Sequence, residues 1–204
     1  MAMDAQGAII LAGGKSSRMG QDKALLPYNG TTLLEHVAAS LQPVVKEVVV
    51  VTDVPDKYRL SCGRVLGDTY PGVGPVGGIV TGLTALGEGN HIVVACDMPG
   101  LEAGVLRLLL RACTPDWDAV VPEVGGQMEP LCAVYRHAAA PRLLRFLESG
   151  GRSAREALDS LRVKRVGEGV LRRIDPDLLC FANVNTPQEL AEFRRQAALR
   201  PRIE

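Results

Sequence analysis

The sequence has very few aromatic residues: one Trp, four Tyr and three Phe, 4% of 204 residues. A globular chain of this length buries roughly 70% of its unfolded surface, and 47% of this one is apolar. Its core is therefore expected to be aliphatic, built from Val, Leu, Ile and Ala. Net charge is absent too, 23 Lys and Arg balancing 23 Asp and Glu, which argues against a general nucleic-acid binder held by phosphate contacts. The apolar content excludes disorder. No apolar run approaches about 18 residues, so no membrane span is expected. The opening residues 1–6 lack a basic segment and do not read as a signal peptide, which makes the cytoplasm the expected compartment. The five cysteines, Cys62, Cys96, Cys113, Cys132 and Cys180, contain no C-x-x-C pair and are odd in number. That argues against both a disulfide framework and a zinc site. Cys96 and Cys132 sit in apolar runs and read as small core residues. The three histidines, His36, His91 and His137, share no motif, no G-x-S-x-G occurs, and no nucleophile–base pair is expected. His36 and His137 read as structural.

What is abundant is glycine, 22 residues, most of them in the first hundred. Glycine concentrated in this way suggests loops that approach something closely. Gly7–Ala12 reads as a first strand, followed by a polar, Gly-rich loop to about Gly30. Thr32-Leu33-Leu34-Glu35 is a capping box opening a helix that stops before Pro43. The unbroken run Val48–Val51 reads as a strand buried on both faces, as in a parallel sheet. The pattern repeats: strands at Arg64–Leu66 and His91–Cys96, helices at Val76–Leu86 and Leu101–Cys113. Beyond them, strands are expected at Asp118–Pro122, Met128–Tyr135, Val163–Val166 and Leu179–Val184. Helices are expected at His137–Glu148, Ser153–Leu161 and from the Thr186 cap onward. Alternation of this kind predicts a single three-layer α/β/α domain over residues 1–204, with a Rossmann-like, mainly parallel sheet. The tail 195–204 is expected to fray.

The loop from Leu11 to Pro27 holds three glycines and the cations Lys15, Arg18 and Lys23 beyond the carboxyl end of strand one. Ligands bind there in parallel α/β sheets, and backbone N–H groups with nearby cations suit phosphate oxygens. Gly14-Lys15-Ser16 looks like the end of a Walker A loop, but residue 9 is Ile where that motif needs Gly. Gly72-Val73-Gly74-Pro75-Val76-Gly77 is a literal G-x-G-x-x-G, yet prolines flank and interrupt it and it lies in the third strand–helix unit. Neither reading is favoured. Asp97, a carboxylate closing the strand His91–Cys96, suits Mg²⁺ bridging phosphates; the alternative is a helix cap near Leu101.

The segment Leu11–Pro27 matches the pattern LAGG-x-x-x-RMG-x-DK-x-LLP of enzymes that build nucleotide conjugates from nucleoside triphosphates. With Gly74-Pro75-Val76-Gly77-Gly78-Ile79, Cys96-Asp97-Met98-Pro99, Met128-Glu129-Pro130-Leu131 and Asn183-Val184-Asn185-Thr186-Pro187, the chain resembles the molybdenum cofactor guanylyltransferases. The resemblance implies a nucleotidyltransferase fold and transfer of GMP from GTP to the phosphate of molybdopterin, with release of pyrophosphate and Mg²⁺ as cofactor. It implies a nucleotide-binding half at 1–100 and a pterin-substrate half at 101–190. It also implies a molybdenum-insertion protein and apo-molybdoenzymes as partners.

On the same resemblance, Lys23 and Arg18 contact phosphates and Asp97 holds the metal. Leu11, Ala12, Gly13 and Gly14 line the nucleotide, Gly77 and Gly78 help form the base pocket, and Asp68 contacts the nucleotide. Thr52 stands where several relatives have Asn. Asn183 and Asn185 lie near the pterin phosphate. Asp68 could instead cap a turn, and the two asparagines could be turn residues. A relative using CTP or a sugar phosphate, and a non-catalytic nucleotide-binding module, remain the alternatives.

Overall fold

The computed structural model describes residues 5–13 and 22–199. In chain order the elements are β1 (Ala5–Leu11), a single 3₁₀ turn at Lys23–Leu25, a small hairpin of β2 (Pro27–Tyr28) and β3 (Thr31–Thr32), α1 (Leu33–Leu41), β4 (Val45–Thr52), β5 (Arg64–Gly67), α2 (Pro75–Leu86), β6 (Asn90–Ala95), α3 (Ala103–Ala112), β7 (Ala119–Val124), β8 (Gln127–Met128), β9 (Cys132–Arg136), α4 (Ala140–Glu148), α5 (Ala154–Ala157), β10 (Val163–Gly167), α6 (Glu168–Leu171) and α7 (Pro187–Ala198). The main sheet runs β10-β7-β9-β6-β1-β4-β5, with β8 hairpinned onto β7. β1 pairs in parallel with both β4 and β6, while β9 is antiparallel to β6 and β7.

The side-chain period of two along each strand creates the layers. Ala8, Ile10, Val48, Val50, Ile92 and Val94 face α1 and α3. Their alternates Ile9, Val49, Val51 and Val93 face α2, α4 and α5. The four valines Val48–Val51 are at most 4% exposed, as expected of a strand covered on both sides. The three-layer α/β fold expected from the sequence is the one observed. No helix among the described residues is long and apolar enough to cross a membrane.

The strand order positions the site. From β1 the chain steps outward to β4 and β5, then crosses back so that β6 lies on the other side of β1. The direction of winding thus reverses at β1, and a crevice opens beyond the carboxyl ends of β1 and β6.

Several boundaries differ from expectation. Leu179–Val184 is not a strand but a 3₁₀ turn at Leu179–Phe181 leading into an irregular segment. The fully buried Asp175 accepts from the backbone N–H of Leu179 (3.2 Å) and Cys180 (2.8 Å), and Leu178 adopts φ +55°, which together curl the chain. The expected strand Met128–Tyr135 breaks at Glu129–Leu131, where Pro130 has no N–H for a ladder and Cys132 N–H turns back to Glu129 O (3.2 Å). Ser153–Leu161 splits into α5 and a 3₁₀ turn, and the short α6 was not foreseen. Asp97 does not cap α3; Glu102 does, accepting from Gly104 N–H at 3.2 Å. The tail is helical as far as Ala198.

Opposite the crevice, Asp118 ties β7, α4 and the approach to β10 together. It is 2% exposed and accepts from Arg162 through N–H (2.9 Å), Nε (3.2 Å) and Nη2 (3.0 Å), and from Arg142 Nη1. Burial pushes its carboxyl up, but the Arg162 hydrogen bonds and the two guanidinium charges prevail and hold it below the ordinary 3.8. A depressed native value means that the stabilisation is complete above the unfolded pKa and is lost as pH falls through the native one. Asp118→Ala is expected to lower unfolding stability by about 2–3 kcal/mol at pH 7. Urea titrations of wild type and variant should converge as the pH drops below about 4.

Candidate active site

The strands stay paired to their ends at the crevice. Cys96 N–H donates to Leu11 O (3.1 Å) and Ala12 N–H to Val51 O (3.0 Å). Gly13 and Asp97 therefore leave the sheet as neighbours. Leu11 is partly buried, Ala12 buried and Gly13 exposed.

Lys23 arrives on the short turn that follows the Gly-rich loop. Asp22 caps that turn: its Oδ1 accepts from Ala24 N–H (3.1 Å), and its Oδ2 from Tyr58 Oη (2.6 Å) and Lys57 Nζ (2.6 Å). Burial pushes the Asp22 carboxyl up, yet the bonds from Lys57 and Tyr58 outweigh it and hold the group below its usual range. Burial and the Asp22 carboxylate push the Tyr58 phenol well up, so it remains a donor. This clamp was missed in the sequence. Asp22 is visible inside the motif, but Tyr58 lies 36 residues away in a segment with no pattern.

The turn delivers Lys23 Nζ to 3.4 Å from Asp97 Oδ2, and the same ammonium donates to Asn185 Oδ1. The other carboxylate oxygen, Asp97 Oδ1, is buried with no hydrogen-bond partner among the described residues. Burial pushes the Asp97 carboxyl up, and Lys23 offsets only part of that. The loop after Asp97 is fixed from α1, where His36 Nε2 donates to Pro99 O (3.0 Å) and its ring packs on Tyr28 with centroids 4.4 Å apart.

Asn-Val-Asn is held by the alternation of its side chains. Val184 is 1% exposed and its N–H donates to Asp97 O at 2.8 Å, while Asn183 and Asn185 stay exposed. Asn185 N–H donates to Glu189 Oε2 (2.5 Å), and Thr186 caps α7 through Glu189 N–H (3.1 Å). The cap is thus Thr186, and the asparagines are left facing a cleft of about 450 Å³. Asp97, Met98, Glu129, Ser153 and Arg155 also line it.

Other residues singled out in the sequence make structural contacts of their own. Gly77 and Gly78 are both buried at the start of α2. A Cβ on Gly77 would lie 2.7 Å from Tyr70 O and one on Gly78 2.8 Å from Leu11 Cδ2, so Gly77 seats α2 against the Tyr70 loop and Gly78 seats it against β1. Gly74 has φ +86°, and a Cβ there would lie 2.8 Å from Arg152 O, so only glycine fits. Asp68 Oδ1 accepts from Tyr70 N–H (2.9 Å) and Thr81 Oγ1 (2.7 Å), as a turn cap would, at the carboxyl end of β5. Thr52 is 2% exposed and its hydroxyl accepts from Val54 N–H at 3.3 Å. It holds the turn after β4. Gly14, Lys15 and Arg18 lie outside the described residues.

The donor set fits a hard divalent cation. Asp97 Oδ1 is a buried anionic oxygen lacking a donor among the described residues, and Asn183 and Asn185 add neutral oxygens at the same cleft. Among the described residues no group of three His, Cys, Asp or Glu side chains is gathered to hold a metal. One carboxylate, with water and substrate phosphates completing the shell, is the habit of Mg²⁺ rather than of zinc.

Comparison with known proteins gives the family. Residues 8–165 match the MobA-like NTP transferase domain. A molybdenum cofactor guanylyltransferase of Desulfosudis oleivorans is 37% identical over 190 residues, covering 92% of this chain and 94% of that protein. A probable molybdenum cofactor guanylyltransferase of Bacillus mycoides is 33% identical over 193 residues, with 92% and 94% covered. The crystal structure of molybdopterin-guanine dinucleotide biosynthesis protein A from Archaeoglobus fulgidus superposes with a TM-score of 0.79 at 28% identity, over 95% of this chain and 99% of that one. The chain belongs to the MobA-like NTP transferase family.

Proposed function

We propose that this protein transfers GMP from GTP to the terminal phosphate of molybdopterin, releasing pyrophosphate, with Mg²⁺ as cofactor. The observation that carries the reading is the buried Oδ1 of Asp97, unpartnered among the described residues, beside Lys23 and Asn185 at the crevice where the winding of the sheet reverses. The names of the relatives supply the nucleotide and the acceptor.

The acceptor phosphate is already an oxyanion, so the chain need not provide a nucleophile. Its oxygen forms a bond to the α-phosphorus of GTP, and the bond from that phosphorus to the β-phosphate bridging oxygen breaks. The negative charge leaves on pyrophosphate. Catalysis is then positioning and charge neutralisation. Lys23 supplies a cation whose place is set by the Asp22 cap. Asp97, with the asparagines beside it, would hold Mg²⁺, which neutralises phosphate charge when bound. Leu11–Gly13 offer backbone and an open glycine to the nucleotide. The same reading extends to a cytoplasmic setting, and to a molybdenum-insertion protein and apo-molybdoenzymes as partners.

A ligand that binds only the folded state at a hundred times its Kd adds about 2.7 kcal/mol of stability. With Mg²⁺, GTP is therefore expected to raise Tm by roughly 5–10 °C, and CTP, UTP, ATP and NAD by much less. A thermal-shift panel checks this. A shift with NAD and none with GTP would contradict the reading.

A further inference from the structure

We propose that Glu129 reads the pterin ring of the acceptor, through paired hydrogen bonds to its 2-amino and ring N–H donors. The inference rests on the function proposed above and assigns the acceptor's recognition to a residue outside the Lys23–Asp97–Asn185 group.

Glu129 occupies the corner that interrupts the expected strand. That corner is held on several sides. Glu129 N–H donates to Pro122 O (2.9 Å), Ala95 N–H to Leu131 O (3.0 Å), and the buried Tyr135 Oη to Pro130 O (3.0 Å). The side chain is 25% exposed and lines the same cleft as Asp97 and the asparagines. Its only ion-pair contact among the described residues is Arg155 Nη2, at 3.9 Å the loose limit of such a contact. No donor among the described residues lies within hydrogen-bonding distance of its oxygens. Burial pushes its carboxyl up, with Arg155 offsetting part. A partly desolvated carboxylate without donors costs stability unless a ligand supplies them.

The chemistry of the occupant follows from the donor deficit. Two carboxylate oxygens side by side match two adjacent N–H groups on a planar ring. The pyrimidine portion of a pterin carries such an edge. Ala95, Met98, Pro130 and Leu131 provide apolar wall for ring faces, and about 450 Å³ is within the size range of a small-molecule site. Guanine carries the same edge, so the test must separate the two sources. The pterin is favoured because the cleft lies on the β6–β9 side of Asp97, while Leu11–Gly13 lie at the end of β1.

The test is steady-state kinetics of E129Q with Mg²⁺, varying molybdopterin and GTP separately. Glutamine keeps the size but replaces one acceptor with a donor. The expected result is a rise of about 10- to 100-fold in KM for molybdopterin, with KM for GTP and the GTP-induced thermal shift unchanged. E129A carries the same expectation and decides the matter if E129Q does not fold. An unchanged KM for molybdopterin overturns the proposal, as does a rise in KM for GTP instead. A wild-type enzyme that forms no GMP conjugate from GTP and molybdopterin defeats the underlying function, an outcome visible before any variant is measured.

Discussion

Asp97→Asn is expected to lower the rate of guanylyl transfer by about a thousandfold without loss of the fold. The carboxylate has one oxygen near Lys23 and the other buried with nothing to accept from among the described residues. Asparagine presents a neutral oxygen and an NH₂ in that place, which offers a cation far less and points donors into the site. Stability should move the other way. Burial raises the native pKa of Asp97, so folding opposes ionisation, and the charged form at neutral pH is held at a cost. Removing the charge is therefore expected to leave Tm unchanged or raise it, as at other functional sites that trade stability for activity. Saturating turnover and Tm, measured on the same preparation, check both signs. Activity within tenfold of wild type would remove Asp97 from the chemistry.

The second large effect is expected at Gly100, in the loop just past Asp97. A Cβ there would lie 2.1 Å from Leu179 O and 2.7 Å from Leu179 C, with Phe193 Cε2 at 3.1 Å. Backbone atoms do not swing aside as a side-chain tip does, so Gly100→Ala must push the Leu179–Phe181 turn away. A cost of about 3 kcal/mol is expected, or a fall in Tm of roughly 6–12 °C. That turn leads directly into Asn183-Val184-Asn185, tied to the Asp97 loop by Val184 N–H donating to Asp97 O. KM for the acceptor should therefore rise along with the loss of stability. A variant melting within about 2 °C of wild type would show that the contact relaxes freely.

Much of this architecture was legible because each signal was local. The Val48–Val51 run, the Thr32–Glu35 capping box and the Thr186-Pro187 helix start each depend on neighbours within a turn or a strand, and each forms as read. Asp97, Lys23 and Asn185 were individually legible from motifs, and the structure brings them together. What escaped was not legible from composition and periodicity. The Leu179–Val184 run has strand composition, but a buried Asp175 curls it. Met128–Tyr135 looked continuous until Pro130 and a turn at Glu129 broke it. Thr52 shows no partner in the sequence, and its hydroxyl accepts from Val54 N–H in the turn after β4. Gly77 and Gly78 carry no sequence sign of what they touch, and they bring a helix onto Leu11 and the Tyr70 loop. Tyr58, which steadies Asp22 and hence Lys23, carries no sequence signal at all.

The central claim is that a site built on Asp97, Lys23 and Asn185 uses GTP to modify a phosphate on molybdopterin. The most direct measurement is pyrophosphate release by the wild-type protein with Mg²⁺ and molybdopterin, comparing GTP with CTP. The account predicts release with GTP that requires molybdopterin and is at least about a hundredfold faster than with CTP. Equal release with CTP would contradict the guanine assignment, and release that ignores molybdopterin would contradict the acceptor.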